Sequence, residues 1–129
     1  MITARYHREI PQRYRLEAGK CTKCGYVAFP PRLVCPKCNA KKFKTIVLND
    51  EGKLQTFTII RVGSDKFSKA TPYAVGIVEL KGGVKLTTQI ADVDVEKLKI
   101  GQKVKLVFRK IQDDGKAGIH MYGYKAVLA

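Results

Sequence analysis

The stretch KCTKCGYVAFPPRLVCPKCNA, Lys20 to Ala40, holds every cysteine of the chain. Two Cys-x-x-Cys pairs, Cys21/Cys24 and Cys35/Cys38, stand here with ten residues between them. Gly25 follows the first pair and Pro36 lies inside the second, so each pair reads as a tight knuckle that aims two thiolates at one point. Four thiolates placed in this way suit tetrahedral Zn(II), and iron is the alternative that colour and a metal assay would separate. A ligand set made only of sulfur leaves no open position for substrate, which makes the metal structural. The ten-residue spacer is shorter than that of most zinc ribbons, so the ribbon is a minimal one.

A thioredoxin-type redox motif would explain one pair and leave the second without a role, and no βαβ pattern surrounds either pair. The opening Met1-Ile2-Thr3-Ala4-Arg5 leads into charge, not an apolar run, so a cytoplasmic chain with reduced thiols is expected. No apolar run is long enough to span a bilayer.

The 129 residues suffice for one domain, or for a small metal module joined to one compact domain. The formal charge is +14. A zinc ion held by four thiolates is a centre of net charge minus two, which lowers the sum to +12. Residues 1–48 hold eleven Lys/Arg against two acids, and residues 49–129 hold fourteen against nine. The surplus therefore gathers in the N-terminal third and suits a polyanion, whether nucleic acid or a cofactor with several phosphates. A Lys-rich soluble surface explains the same charge without any ligand.

Outward from the cysteines, residues 1–19 form an arm in which Tyr6, Ile10, Tyr14 and Leu16 alternate with basic residues. Thr3 could cap a short helix, and Pro11 would end it or start another. The arm either packs on the body of the protein or presents a basic, aromatic edge to a partner. Within the ribbon, taken as residues 20–43, GYVAFPPRLV reads as a short hairpin whose two prolines stiffen the turn, with Phe29 as a cover for the knuckles.

From residue 44 to 129 the pattern turns to period two. Strands are expected over 45–48, 53–62, 73–80, 84–91, 103–108 and 119–127, with a polar loop at 63–71 and a short helix or turn within 92–100. From residue 53 onward, three strands, a short helical link and two more strands is the order of an OB-fold, a five-stranded Greek-key barrel. The chain is thus mainly β, with an N-terminal helical arm and a rubredoxin-like zinc ribbon ahead of the barrel. A β-sandwich is the competitor, but five strands are few for it.

The cysteines are absorbed by the metal. His7 and His120 lie in different modules with no acid or nucleophile beside them in sequence, and the glycines make no phosphate loop. These features support binding or scaffolding and not catalysis, so no catalytic residue is assigned.

The ribbon CTKCGYVAFPPRLVCPKC, preceded by Arg15-Leu16 and Gly19-Lys20, followed by PYAVGIVEL at 72–80 and IGQKVKLVF at 100–108, resembles the zinc-ribbon/OB-fold proteins associated with acyl-CoA metabolism, formerly domain of unknown function 35. The resemblance covers nearly the whole chain. It implies a small accessory subunit of thiolase-type enzymes. In archaea such proteins are similar to the subunit joining acetyl-CoA acetyltransferase to hydroxymethylglutaryl-CoA synthase, at the entry to mevalonate and isoprenoid lipid synthesis. A coenzyme A thioester is then the implied ligand. Its phosphates would meet Arg61, Lys66 and Lys69, and its pantetheine arm a groove lined by Phe67 and Tyr73. Solvated lysines explain the same positions.

The competing function is a single-stranded nucleic-acid-binding OB-fold. Such a fold needs aromatics on its second and third strands as stacking platforms, yet 73–80 and 84–91 contain only Tyr73. An acyl-CoA hydratase or esterase ranks last, because no general base is evident.

Overall fold

The computed structural model describes residues 4–129, so the proposed cap at Thr3 lies outside the described residues. Two short helices, α1 (Ala4–Arg8) and α2 (Ile10–Arg15), lead into strand β1 (Glu17–Cys21). Pro11 stands in the first turn of α2, where a missing N–H costs nothing. Leu16 ends α2 in the left-handed conformation, φ 52° and ψ 45°, and turns the chain into β1. The arm packs on the body: Leu16 is buried and belongs to the same apolar cluster as the barrel residues Leu54, Val78, Val104 and Ala126.

β1 is the centre of a three-stranded sheet, flanked by β2 (Val27–Ala28) and β3 (Phe43–Val47), both antiparallel to it. The strand expected over 45–48 is therefore hydrogen-bonded to the strand that carries the first cysteine, with Cys21 opposite Phe43. Gly19, opposite Thr45 and Ala28, sits beneath Phe43: a Cβ there would stand 3.3 Å from the Phe43 ring.

The remaining strands close a five-stranded barrel in the order β4-β5-β6-β8-β7, where β4 is Glu51–Ile60, β5 Tyr73–Leu80, β6 Lys85–Ile90, β7 Lys103–Asp113 and β8 His120–Leu128. A 3₁₀ turn over Val95–Lys97, capped by the Asp94 carboxylate, links β6 to β7 as expected. This is the OB-fold. Alternation writes the core directly: Ala74, Gly76, Val78 and Leu80 of β5 and Leu86, Thr88 and Ile90 of β6 are buried while their neighbours are not. β4 is bent within its own length, not only at the glycine that follows it. Its register to β5 shifts between Leu54 and Thr56, a bulge at Gln55. Gly76 lies under that bulge, where a Cβ would stand 2.7 Å from Leu54 Cδ1 and 2.8 Å from the Thr56 carbonyl, so only glycine fits.

β7 and β8 are longer than the barrel requires. On β7 Leu106 is buried and Phe108, Arg109 and Lys110 are exposed, while the paired stretch of β8 keeps Met121 and Gly123 buried and packs against α2. No helix among the described residues is long and apolar enough to cross a membrane.

Candidate metal centre and ligand groove

The two knuckles are copies of one backbone device. The Cys21 N–H donates to the Tyr26 carbonyl (2.8 Å) and the Cys21 carbonyl accepts from the Gly25 N–H (3.0 Å). The Cys35 N–H donates to the Ala40 carbonyl (2.9 Å) and the Cys35 carbonyl accepts from the Asn39 N–H (3.0 Å). Each turn needs a left-handed residue four places after its first cysteine. Gly25 supplies it at φ 76° and Asn39 at φ 58°, the two residue types that accept this conformation most readily. In the second knuckle it is Asn39, not Pro36, that makes the turn.

The device brings all four sulfurs within 4.8 Å of one another. The Sγ atoms of Cys21 and Cys38, and those of Cys24 and Cys35, are 3.5 Å apart. Tetrahedral Zn–S bonds of about 2.3 Å put ligand sulfurs about 3.8 Å apart, so the cluster has the size of a zinc coordination sphere. Cys21 and Cys35 are buried and Cys24 is exposed, which sets the centre at the edge of the sheet with one side toward solvent.

Electrostatics point the same way. The amide of Cys24 leads in pulling the Cys21 thiol down to about 6, against its burial and with help from the Lys23 amide. At Cys35 burial opposes ionisation, but the Cys38 and Lys37 amides and the neighbouring thiols carry it below the ordinary thiol range. At Cys38 the Ala40 amide favours the thiolate, yet burial and the three neighbouring sulfurs together push it up to about 12. The knuckle amides therefore favour thiolates that repel one another. A divalent cation among them removes that conflict.

Phe29, expected as a cover for the knuckles, has its ring centroid 5.6 Å from that of Tyr124 on β8 and packs against the barrel core. It ties the ribbon to the barrel.

Of the five residues assigned to a ligand, the structure brings two together. Phe67 and Tyr73 stand with ring centroids 6.1 Å apart in a groove of about 380 Å³. The loop that carries Phe67 is ordered by local bonds: its N–H donates to the Ser64 carbonyl, its carbonyl accepts from Ala70 in a 3₁₀ turn over Ser68–Ala70, and Ser68 Oγ donates to the Asp65 carbonyl. Lys66 and Lys69 are exposed on the same loop but do not line the groove. Arg61 does not line it either; its Nη2 donates to Glu96 at 2.8 Å.

The groove adds residues the sequence reading did not assign. Tyr6 and Arg13 from the arm and Tyr124 from β8 complete its walls. The Arg13 guanidinium lies 4.2 Å over the Tyr6 ring and donates to the Tyr6 carbonyl (3.1 Å), so the one cation that lines the groove among the described residues is held in place. Burial raises the Tyr124 hydroxyl above the ordinary phenol range. Nothing local in the sequence joins residues 6, 13, 67, 73 and 124; only barrel closure does. A larger cavity, about 610 Å³, opens at the other end of β5 between Lys53, Glu79, Lys81 and Lys103. Its walls carry mixed charge and an ion pair between Glu51 and Lys81, and no aromatic ring, so the smaller groove is the better match for a ligand with an apolar arm.

A four-cysteine ribbon fused to an OB-fold barrel defines the class of the protein. Residues 8–43 match the family described as "ChsH2, rubredoxin-like zinc ribbon domain", and residues 45–109 match "ChsH2, C-terminal OB-fold domain". A "DUF35 domain-containing scaffold protein" of Methanothermobacter thermautotrophicus is 41% identical over 95% of this chain and 93% of its own length. The chain belongs to this zinc-ribbon and OB-fold family, DUF35. The "Benzoylsuccinyl-CoA thiolase subunit BbsA" of Thauera aromatica is 26% identical over 85% of this chain and 74% of that subunit. Among solved structures, the "Ltp2-ChsH2(DUF35) aldolase" superposes with a TM-score of 0.76 at 24% identity, over 97% of this chain and 92% of that one, a likeness of fold.

Proposed function

We propose that the protein is a non-catalytic cytoplasmic scaffold that binds a thiolase-type enzyme of acyl-CoA metabolism, with acetyl-CoA acetyltransferase and hydroxymethylglutaryl-CoA synthase as its partners. In this reading Cys21, Cys24, Cys35 and Cys38 hold a structural zinc ion that keeps the ribbon folded. The observation that carries it is 41% identity over 95% of the chain to a protein named as a scaffold, together with the likeness to a named thiolase subunit. In this reading the groove between Phe67 and Tyr73 would take the pantetheine arm of a coenzyme A thioester, and Arg13 on its wall, with Lys66 and Lys69 on the loop that carries Phe67, would meet the phosphates. Arg61 joins them only by exchanging Glu96 for the ligand.

Co-expression of the chain with the acetyltransferase and the synthase of the same organism, followed by size-exclusion chromatography, tests the scaffold. Co-elution in fixed ratio is expected. Separate elution of all three proteins would refute it, and recovery of oligonucleotide with the free chain would favour the strand-binding alternative. Acetyl-CoA titrated into the zinc-loaded chain tests the groove. Phe67→Ala and Tyr73→Ala should each weaken binding several-fold more than Arg61→Ala.

A further inference from the structure

Between Lys20 and Lys44 the chain carries seven Lys/Arg and no Asp or Glu. All seven are exposed, and among the described residues none forms an ion pair, whereas Arg15, Arg61, Lys81 and Arg109 of the arm and barrel are paired. The zinc-ribbon module thus carries a cationic surface with no carboxylate of its own, and the metal centre, at net charge minus two, offsets only part of it. Its self-repulsion is relieved by an acidic surface placed against it.

The same module exposes two aliphatic side chains at the tip of the loop between the knuckles. Leu33 is 88% exposed and Val34 46%, and Arg32 and Lys37 flank them in sequence. The loop is held at both ends. Phe29 is packed on Tyr124, and Cys35 is fixed by its knuckle. Pro30 and Pro31 restrict the backbone between them. An apolar anchor on a stiff loop with a charged rim is the anatomy of a protein-docking element, and pre-ordering lowers the entropy lost on binding.

A nucleic acid fits this surface less well. Stacking needs free ring faces, and the rings of the ribbon are engaged: Tyr26 lies under Lys37 Nζ (5.6 Å), Phe29 meets Tyr124, and Phe43 covers Gly19. Leu33 and Val34 offer nothing to a base.

We infer that the ribbon tip, with Leu33 and Val34 as apolar anchor and the unpaired ribbon cations as rim, docks on an acidic, apolar-pocketed face of the partner enzyme. The inference rests on the scaffold reading above and names the surface through which it would act. The probe is purified acetyl-CoA acetyltransferase of the same organism, immobilised and titrated with the zinc-loaded full chain. Leu33→Asp and, separately, Lys41→Glu/Lys42→Glu should each raise the Kd at least ten-fold. Ile100→Asp, an equally polar change at an exposed barrel loop, should leave it within two-fold. Because Leu33 and both lysines are exposed, melting temperature and zinc content should match the wild type in every variant. Wild-type binding that survives all the ribbon substitutions would overturn the inference while leaving the scaffold reading intact. No binding by the wild type would sink both. Tighter binding of a 20-nucleotide oligo-dT strand than of the enzyme, abolished by Lys41→Glu/Lys42→Glu, would assign the cations to nucleic acid and overturn the docking inference.

Discussion

Leu16 joins the arm to the barrel, and replacing it separates two effects that pull in opposite directions. Its side chain is 8% exposed and belongs to the barrel core, so Leu16→Ala should cost about 3 kcal/mol, the middle of the range for a buried leucine truncated to alanine. Its backbone, however, sits at φ 52° and ψ 45°, a conformation that disfavours any residue with a Cβ by about 1–2 kcal/mol. Leu16→Gly removes the same apolar contacts but relieves that strain, and should therefore be about 1 kcal/mol more stable than Leu16→Ala. For a chain of this size about 1 kcal/mol moves the melting point about 4 °C, so alanine should lower Tm by about 12 °C and glycine by about 8 °C. Urea unfolding at a fixed excess of zinc, with the slope unchanged, gives the two free energies directly. If both variants stay within about 0.5 kcal/mol of the wild type, the arm is not part of the core. If glycine proves less stable than alanine, the account of the left-handed cap is wrong.

Gly76→Ala, which would drive a Cβ into Leu54 and the Thr56 carbonyl under the β4 bulge, should cost about 1–3 kcal/mol, measurable as a lower urea midpoint. Cys35→Ser should abolish the tetrathiolate absorption of the cobalt-substituted protein, and titration to acid should release zinc from the wild type because its ligands bind metal only when deprotonated; zinc bound one per chain in the serine variant would contradict the site. The Asp113 carboxyl is held below the ordinary carboxylate range by its hydrogen bond from His120 and then by Lys110. A depressed folded pKa contributes stability above the ordinary aspartate value of about 3.9 and loses it as pH falls through the folded value. Asp113→Asn should therefore flatten the acid limb of the stability curve, and an unchanged limb would show the pair to be idle.

The metal centre was legible because its signal is local: four cysteines at fixed spacing can converge in few ways. The barrel strands were legible because apolar alternation survives in 73–80 and 84–91, where Ala74, Val78, Leu86 and Ile90 are buried as the pattern requires. Long-range pairings were not. Period two marks 45–48 as a strand but cannot say that it pairs with β1, whose own residues, Glu-Ala-Gly-Lys-Cys, have little β preference and form a strand through those partners. The extension of β7 to Asp113 and its aromatic cluster are hidden for a related reason. Phe108 and Tyr122 stack 5.4 Å apart on its surface and Tyr14 meets Phe108 edge-on at 5.1 Å, but the three are brought together only by the β7–β8 register and the docking of α2. In the groove, Phe67 and Tyr73 lie six positions apart and are neighbours in sequence, whereas Tyr6, Arg13 and Tyr124 come from the two ends of the chain.

Leu16 is seated in the barrel core, and Cys21 is the fifth residue after it. The strand between them is hydrogen-bonded on both sides, and the Leu48 N–H donates to the Leu16 carbonyl at 2.9 Å. The ribbon is thus a bracket bolted to the barrel and not a finger on a tether. In the proposed scaffold role, an enzyme seated on one module would find the other at a set distance and angle, and the protein would then serve as a ruler that fixes where two bound bodies stand relative to each other.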